Sequence, residues 1–225
     1  MSNRIGVFGG THFVGRHIVR SLLDSKYTVI LMNRCESNMH LYPHLDRICI
    51  DRSNPSSRNI SNDNLEFDCI IDTTCYPNHL TNTLIPNRIK TNYYVYISSA
   101  SVYEWEHRQK FLKLNPHEVL PQQDYVSKKY ICEGLIKKFF DPKDYLIIRP
   151  GYICGEYDYL NRFDYSKWPN VYWKDGGEEL KDYDDVQQLS KWIVDDLISH
   201  RASGIVDTVG GEKYKNQLES YGWKI

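Results

Sequence analysis

Alanine is almost missing from this chain: two residues in 225, Ala100 and Ala202. The hydrophobic content of 41% therefore leans on 18 Tyr. Tyr must supply much of the buried area, and each buried ring brings a hydroxyl that needs a partner. An excess of charge of one sign is also missing. Lys+Arg number 28 against Asp+Glu 29, a net charge of -1. That balance offers no basic field for a nucleic-acid backbone and no acidic tail. No apolar run approaches the roughly 18–20 residues needed to span a bilayer. The first residues, Met1 to Arg4, lead directly into a strand-like run, so no signal peptide is expected. Six Cys show no C-x-x-C spacing, and several lie in apolar runs such as Ile48-Cys49-Ile50 and Cys69-Ile70-Ile71. They read as small hydrophobes in a reducing cytosol, with neither a disulfide nor a zinc site expected. A cytoplasmic protein without nucleic-acid or membrane partners follows as the expectation.

What is present is an alternation. Short apolar runs at residues 4–9, 27–33, 47–51, 67–73, 93–99 and 145–149 read as strands. Helical patterns at 13–25, 125–140 and 185–199 separate or follow them. Strands apolar on both faces with helices between them predict a parallel sheet covered on two sides, a doubly wound α/β domain. Residues 52–66 are Ser/Asn-rich and read as a loop, and Pro86 interrupts a candidate helix at 79–90. Past Arg149-Pro150-Gly151 the composition turns to Tyr, Trp, Asp and Gly. The expected division is a Rossmann domain over 1–150, then a reduced cap over 151–225 with a late helix and a strand at 204–209.

The strongest local signal is Gly6-Val7-Phe8-Gly9-Gly10-Thr11-His12-Phe13-Val14-Gly15. A strand running through a Gly-rich turn into a helix aims backbone N–H groups and a helix N-terminus at a pyrophosphate. Gly9 permits the turn, Gly15 permits close packing of the helix, and His12 replaces the middle glycine. The second strand ends Asn33-Arg34, without the carboxylate that would hold an NAD ribose. A guanidinium there accommodates a 2′-phosphate, which favours NADP while leaving NAD open. Asp51-Arg52 ends the third strand, where Asp51 can accept from the adenine amino group. Thr73-Thr74-Cys75 ends the fourth with small side chains that let a cofactor lie across the sheet edge.

Tyr125-Val126-Ser127-Lys128-Lys129 is a Tyr-x-x-x-Lys spacing, expected by chance in a chain this rich in Tyr. Position raises its value. The pair shares one face of a predicted helix and follows a strand ending Ser98-Ser99-Ala100-Ser101, at the edge where open α/β sheets bind ligands.

Gly-rich turn, Ser-bearing strand and Tyr-x-x-x-Lys, in this order, resemble the short-chain dehydrogenase/reductase superfamily. The closer resemblance is to its extended branch, the NAD(P)-dependent nucleotide-sugar epimerases and dehydratases, with the turn of the atypical G-G-T-x-F-x-G members. Arg149-Pro150-Gly151 and Asp184-Asp185-Val186 sit where that family has comparable motifs. The resemblance covers residues 3–210. It implies Tyr125 as general acid/base and Lys129 on the nicotinamide ribose, its positive charge favouring the ionised phenol. It also implies Ser99 bonded to the reacting oxygen, and Pro150, Tyr152 and Ile153 facing the nicotinamide. Gly9, Thr11, His12, Phe13, Val14, Gly15, Asn33, Arg34, Asp51, Arg52, Thr73, Thr74 and Cys75 would line the remainder of the cofactor.

Two departures shape the expected chemistry. Ala100 and Ser101 stand where the family's 4,6-dehydratases carry an Asp-Glu pair, so water elimination lacks its acid and base. The family's larger C-terminal substrate domain is reduced here, leaving Ser101, Tyr103 and Arg162 as candidate substrate contacts, Arg162 for a phosphate. Asp184 and Asp185 are expected to cap the following helix. The resemblance implies keto-reduction or 4-epimerisation of a nucleotide-linked sugar by a monomer or homodimer. The rival is a cofactor-bound regulatory or binding protein without turnover.

Overall fold

The computed structural model describes residues 4–54, 65–84, 88–102, 125–159 and 183–208. Its centre is a seven-stranded sheet. β1 (Arg4–Phe8), β2 (Thr28–Asn33), β3 (Asp46–Cys49), β5 (Cys69–Asp72), β7 (Tyr94–Ile97), β8 (Tyr145–Arg149) and β11 (Gly204–Asp207) lie in the order β11-β8-β7-β5-β1-β2-β3. Every neighbouring pair in it is parallel. Strand order reverses between β1 and β5, which opens a crevice at their carboxyl ends.

Both faces are covered, so the inner strands are apolar throughout rather than alternating. On one face, Ile18, Val19 and Leu22 of α1 (Phe13–Asp24) share a core with Leu189 of α4 (Val186–Trp192). α4 continues into a π-helical turn, Ile193–Ile198, whose Ile193, Val194 and Leu197 join the same core. On the other face, Leu80 of α2 (Pro77–Thr83) packs with Cys132 and Ile136 of α3 (Tyr125–Phe139). Tyr fills core volume as its abundance requires. Tyr94 and Tyr96 are fully buried, and the Tyr94 hydroxyl donates to Asp72 Oδ2 at 2.7 Å. The Tyr93 hydroxyl donates to the Ala202 carbonyl. No described helix is long and apolar enough to cross a membrane.

Several expectations change. The apolar run at 67–73 is two strands: β4 (Leu65–Phe67) pairs with β6 (Ile89–Thr91), and β5 begins only after Asp68. Asp68 marks the break because its Oδ2 accepts the Arg4 amide at 2.8 Å. The candidate helix at 79–90 is shorter and starts earlier, with Pro77 in its first turn, where a missing N–H costs nothing. Tyr152–Cys154 (β9) and Tyr183–Asp185 (β10) form a further parallel pair within the expected cap. Asp185 caps α4 by accepting from the Gln187 and Gln188 amides. Asp184 does not: its Oδ2 accepts the Gly151 amide at 2.9 Å and the Thr208 hydroxyl at 2.5 Å.

The cysteine expectation is corrected as well. Cys35 and Cys49 form a disulfide with Cα atoms 5.3 Å apart. Cys49 ends β3 in register with Asn33 of β2, and Cys35 lies two residues past Asn33, so parallel pairing brings the two side chains together. Spacing along the chain carries no signal for such a cross-strand contact.

Candidate active site

The Gly-rich turn is a cradle in which side chains do not fit. Gly9 has φ +80°, and a Cβ on it would strike the side chains of Thr73 and Thr74. A Cβ on Gly15 would strike the Gly9 carbonyl, so the first turn of α1 sits hard against the loop. Thr11 is buried, and its carbonyl accepts from Asn38 Nδ2 at 3.0 Å. His12 is the N-cap residue of α1 but its side chain makes no capping bond; Nε2 lies 3.1 Å from Ser37 Oγ instead. The first turn holds no acidic residue. A helix start with its positive end uncapped by side chains, facing a loop stripped of Cβ atoms, fits a phosphate. Phe13 and Val14 turn into the core and fix the helix on the sheet.

At the end of β2, Asn33 Oδ1 accepts the Cys35 amide at 3.0 Å. Asn33 Nδ2 is buried and has no hydrogen-bond partner among the described residues. An orphaned donor at this edge fits a ribose or phosphate oxygen. Arg34 is exposed, with Nε 3.3 Å from Glu36 Oε2. Asp51 Oδ1 accepts the Ser53 amide at 2.9 Å. Arg52 is buried in an ion pair with Asp72, and Nη2 also donates to Thr74 Oγ1 at 3.0 Å. Burial alone would raise the Asp72 carboxyl, but the Arg52 guanidinium and hydrogen bonds outweigh it and hold the group below the usual carboxylate range. Thr73 Oγ1 donates to the Phe8 carbonyl at 3.0 Å, locking the β5 turn beside Gly9. Cys75 is buried with Sγ 3.9 Å from Cys132 Sγ; burial, then the Cys132 contact, push its thiol well up.

Farther along the edge, Tyr125 opens α3 and is 54% exposed. Lys129, one turn on, is buried with Nζ 5.6 Å from the centre of the Tyr125 ring. Its ammonium donates to the Ile97 carbonyl at 2.7 Å, at the end of β7. Ser99 Oγ, just past that strand, lies 2.8 Å from Ser101 Oγ and accepts the Ser101 amide at 3.2 Å. The Ala100 amide donates to the Pro150 carbonyl at 2.8 Å, joining this loop to the turn after β8. Beyond that turn Tyr152 is exposed and Ile153 packs on the core. Lys129 thus ties the start of α3, with Tyr125, to the end of β7, two residues before Ser99. Tyr103 and Arg162 lie outside the described residues.

One group escaped the sequence reading. Glu133 is buried on α3, one turn beyond Lys129, and accepts from Arg149 Nη2 at 2.7 Å and Nε at 3.0 Å. It also accepts the Ser98 hydroxyl at 2.7 Å. The network fastens the Tyr125–Lys129 helix to the ends of β7 and β8. A carboxylate four residues past a buried Lys on an otherwise apolar face was the available signal.

A family model, Epimerase: NAD dependent epimerase/dehydratase family, matches residues 5–199. The chain belongs to that family. Among curated proteins none matches it significantly. Among solved structures, UDP-N-acetylglucosamine 4-epimerase from Bacillus cereus aligns with TM-score 0.58 and 21% identity, over 97% of this chain and 81% of that one. A putative epimerase from Burkholderia cenocepacia J2315 aligns with TM-score 0.62 and 16% identity, over 100% and 82%. A wide-type short-chain dehydrogenase/reductase from Veillonella parvula DSM 2008, in complex with NADP, gives TM-score 0.58 and 11% identity, over 95% and 97%. At these identities the structures share the fold with this epimerase/dehydratase family member.

Proposed function

We propose that this protein is an NAD(P)-dependent reductase or epimerase of a nucleotide-linked sugar, working through Ser99, Tyr125 and Lys129. The observation that carries the reading is an exposed Tyr125 one helical turn before a buried Lys129, whose ammonium bonds the Ile97 carbonyl two residues before Ser99. Two UDP-sugar 4-epimerases among the structural neighbours support the substrate class.

The dinucleotide, when bound, supplies hydride transfer. Gly9, Thr11, His12 and Gly15 would hold its pyrophosphate at the start of α1. Asn33 and Arg34 would take the ribose and its 2′-phosphate, which favours NADP. Asp51 would take the adenine amino group, with Thr73, Thr74 and Cys75 lining the sheet edge beside it. Pro150, Tyr152 and Ile153 would face the nicotinamide end. Lys129 would bind the second ribose, its positive charge close to Tyr125. Tyr125 moves the proton at the reacting sugar oxygen, which Ser99 orients. Ser101 would contact the sugar, with Tyr103 and Arg162 carried from the sequence as candidates for the sugar and its phosphate. Ala100 and Ser101 offer no acid–base pair for removing water, so the reaction is keto-reduction or 4-epimerisation.

The test is incubation of the purified protein with UDP- and dTDP-linked 4-keto-hexoses plus NADPH, and with the matching hexoses plus NADP+ or NAD+, read by mass, by cofactor absorbance and by chromatographic separation of epimers. A gain of two hydrogens or an isomer of equal mass is expected. No turnover with any member, despite tight cofactor binding, would transfer the protein to the regulatory class.

A further inference from the structure

One buried cation at the carboxyl edge is explained neither by the phosphate cradle nor by the Tyr–Lys pair. Arg52 leaves the end of β3 and crosses the ends of β2 and β1 to reach Asp72 at the end of β5. Its guanidinium lies 3.8 Å from the centre of the Phe8 ring and forks onto both Asp72 oxygens. Burying an ion pair seldom adds net stability, because desolvation offsets the attraction, and an apolar pair would fill the same space. What such a pair does supply is geometry. The Arg52 carbonyl accepts from Asn82 Nδ2 of α2 at 2.9 Å, and Asp72 Oδ1 accepts the Thr74 amide at 3.0 Å. One guanidinium therefore couples the turn after β3 to the turn after β5, across the reversal of strand order.

We propose that Arg52 is a positioning residue for the adenine ring, acting through Asp51 and the Thr73–Thr74 turn without touching the ligand; this rests on the dinucleotide reading above. Its guanidinium bonds go to Asp72 and Thr74, so it is not a phosphate ligand. It fixes the separation between the Asp51 carboxylate on one side and the Thr74 wall on the other, the slot that a planar aminopurine enters. Lysine at this position keeps the charge but cannot fork between Asp72 and Thr74.

The experiment measures dissociation constants of NADPH and of ADP-ribose, which lacks the nicotinamide, for wild type, Arg52→Lys, Asp51→Asn and the double variant. Arg52→Lys is expected to weaken both ligands by about tenfold, the scale of a small misplacement. In the Asp51→Asn background the same change should cost less than about threefold, since coupled residues are not additive. Asn82→Ala, which removes only the anchor of the turn to α2, should show a smaller loss that also shrinks in that background, and it serves if Arg52→Lys does not fold. Unchanged affinities with a lowered melting temperature, or losses that multiply in the double variant, would overturn the positioning role. Failure of the wild type to bind NADPH or NADH would overturn the dinucleotide reading, and this inference with it.

Discussion

Proton transfer at a sugar oxygen needs a group that the substrate can reach and a charge that the solvent cannot. Tyr125 is half exposed, whereas Lys129 is 5% exposed and tied to the Ile97 carbonyl. Tyr125→Phe should therefore preserve fold and cofactor affinity while turnover falls by about 10²–10⁴-fold, measured in single-turnover assays. Lys129→Met should lower turnover and also weaken cofactor binding, which fluorescence titration separates from the first effect. On the proposed dinucleotide reading, Arg34 would decide between the two dinucleotides. A charged hydrogen bond to the 2′-phosphate contributes about 1.5–3 kcal/mol, so Arg34→Ala should erase most of a preference for NADPH over NADH. Glu36, 3.3 Å from Arg34, competes for the same guanidinium. Removing it as Glu36→Gln should sharpen the preference, and equal NADPH and NADH affinities in the wild type and in Glu36→Gln would contradict the assignment.

At the scale of elements, the inner strands and α1 were legible because periodicity and the Gly-rich turn agree. β8 falls on the predicted residues, and α1 begins at Phe13 as the turn requires. β4, β6, β9 and β10 were not legible as separate strands, because three residues carry no period. The placement of Tyr125 and Lys129 one turn apart on a helix was legible from their spacing, while the meeting of Glu133 with Arg149 was not, since it depends on the packing of α3 on β8. Asp185 illustrates an element resting on one side chain. Its carboxylate satisfies two amides at the start of α4, so Asp185→Ala should cost about 1 kcal/mol in denaturant unfolding, with Asp185→Ser nearly neutral.

For the whole molecule, acid stability follows from one half-buried and one buried group near the crevice. Burial, then the charge of Arg52, push His79 down to about 4. In the unfolded chain a His takes up its proton near pH 6.5, so the unfolded state binds it first and stability falls as pH drops from about 6.5 to 4. His79→Gln should flatten urea midpoints across that window. Asp72 acts at lower pH: held ionised below the usual range, it stabilises the fold above about pH 3.9 and loses that contribution as pH falls through its folded value.

The partnership of α1 with α4 and the π-helical turn also has a kinetic side. Ile18, Val19 and Leu22 find part of their cover in Leu189, Ile193, Val194 and Leu197, more than 160 positions later in the chain. During synthesis the first helix therefore emerges long before its cover, and one apolar flank stays open to chaperones and to other nascent chains. Closure of so long a loop is paid in entropy before the contact returns anything, so docking of this late helix belongs to the slow end of folding. On the opposite flank the covering helices α2 and α3 are both made by Phe139, and the core there needs little beyond β8, so it can consolidate first. Until the late helix emerges, the ribosome would hold a sheet shielded by two helices on one side and by α1 alone on the other.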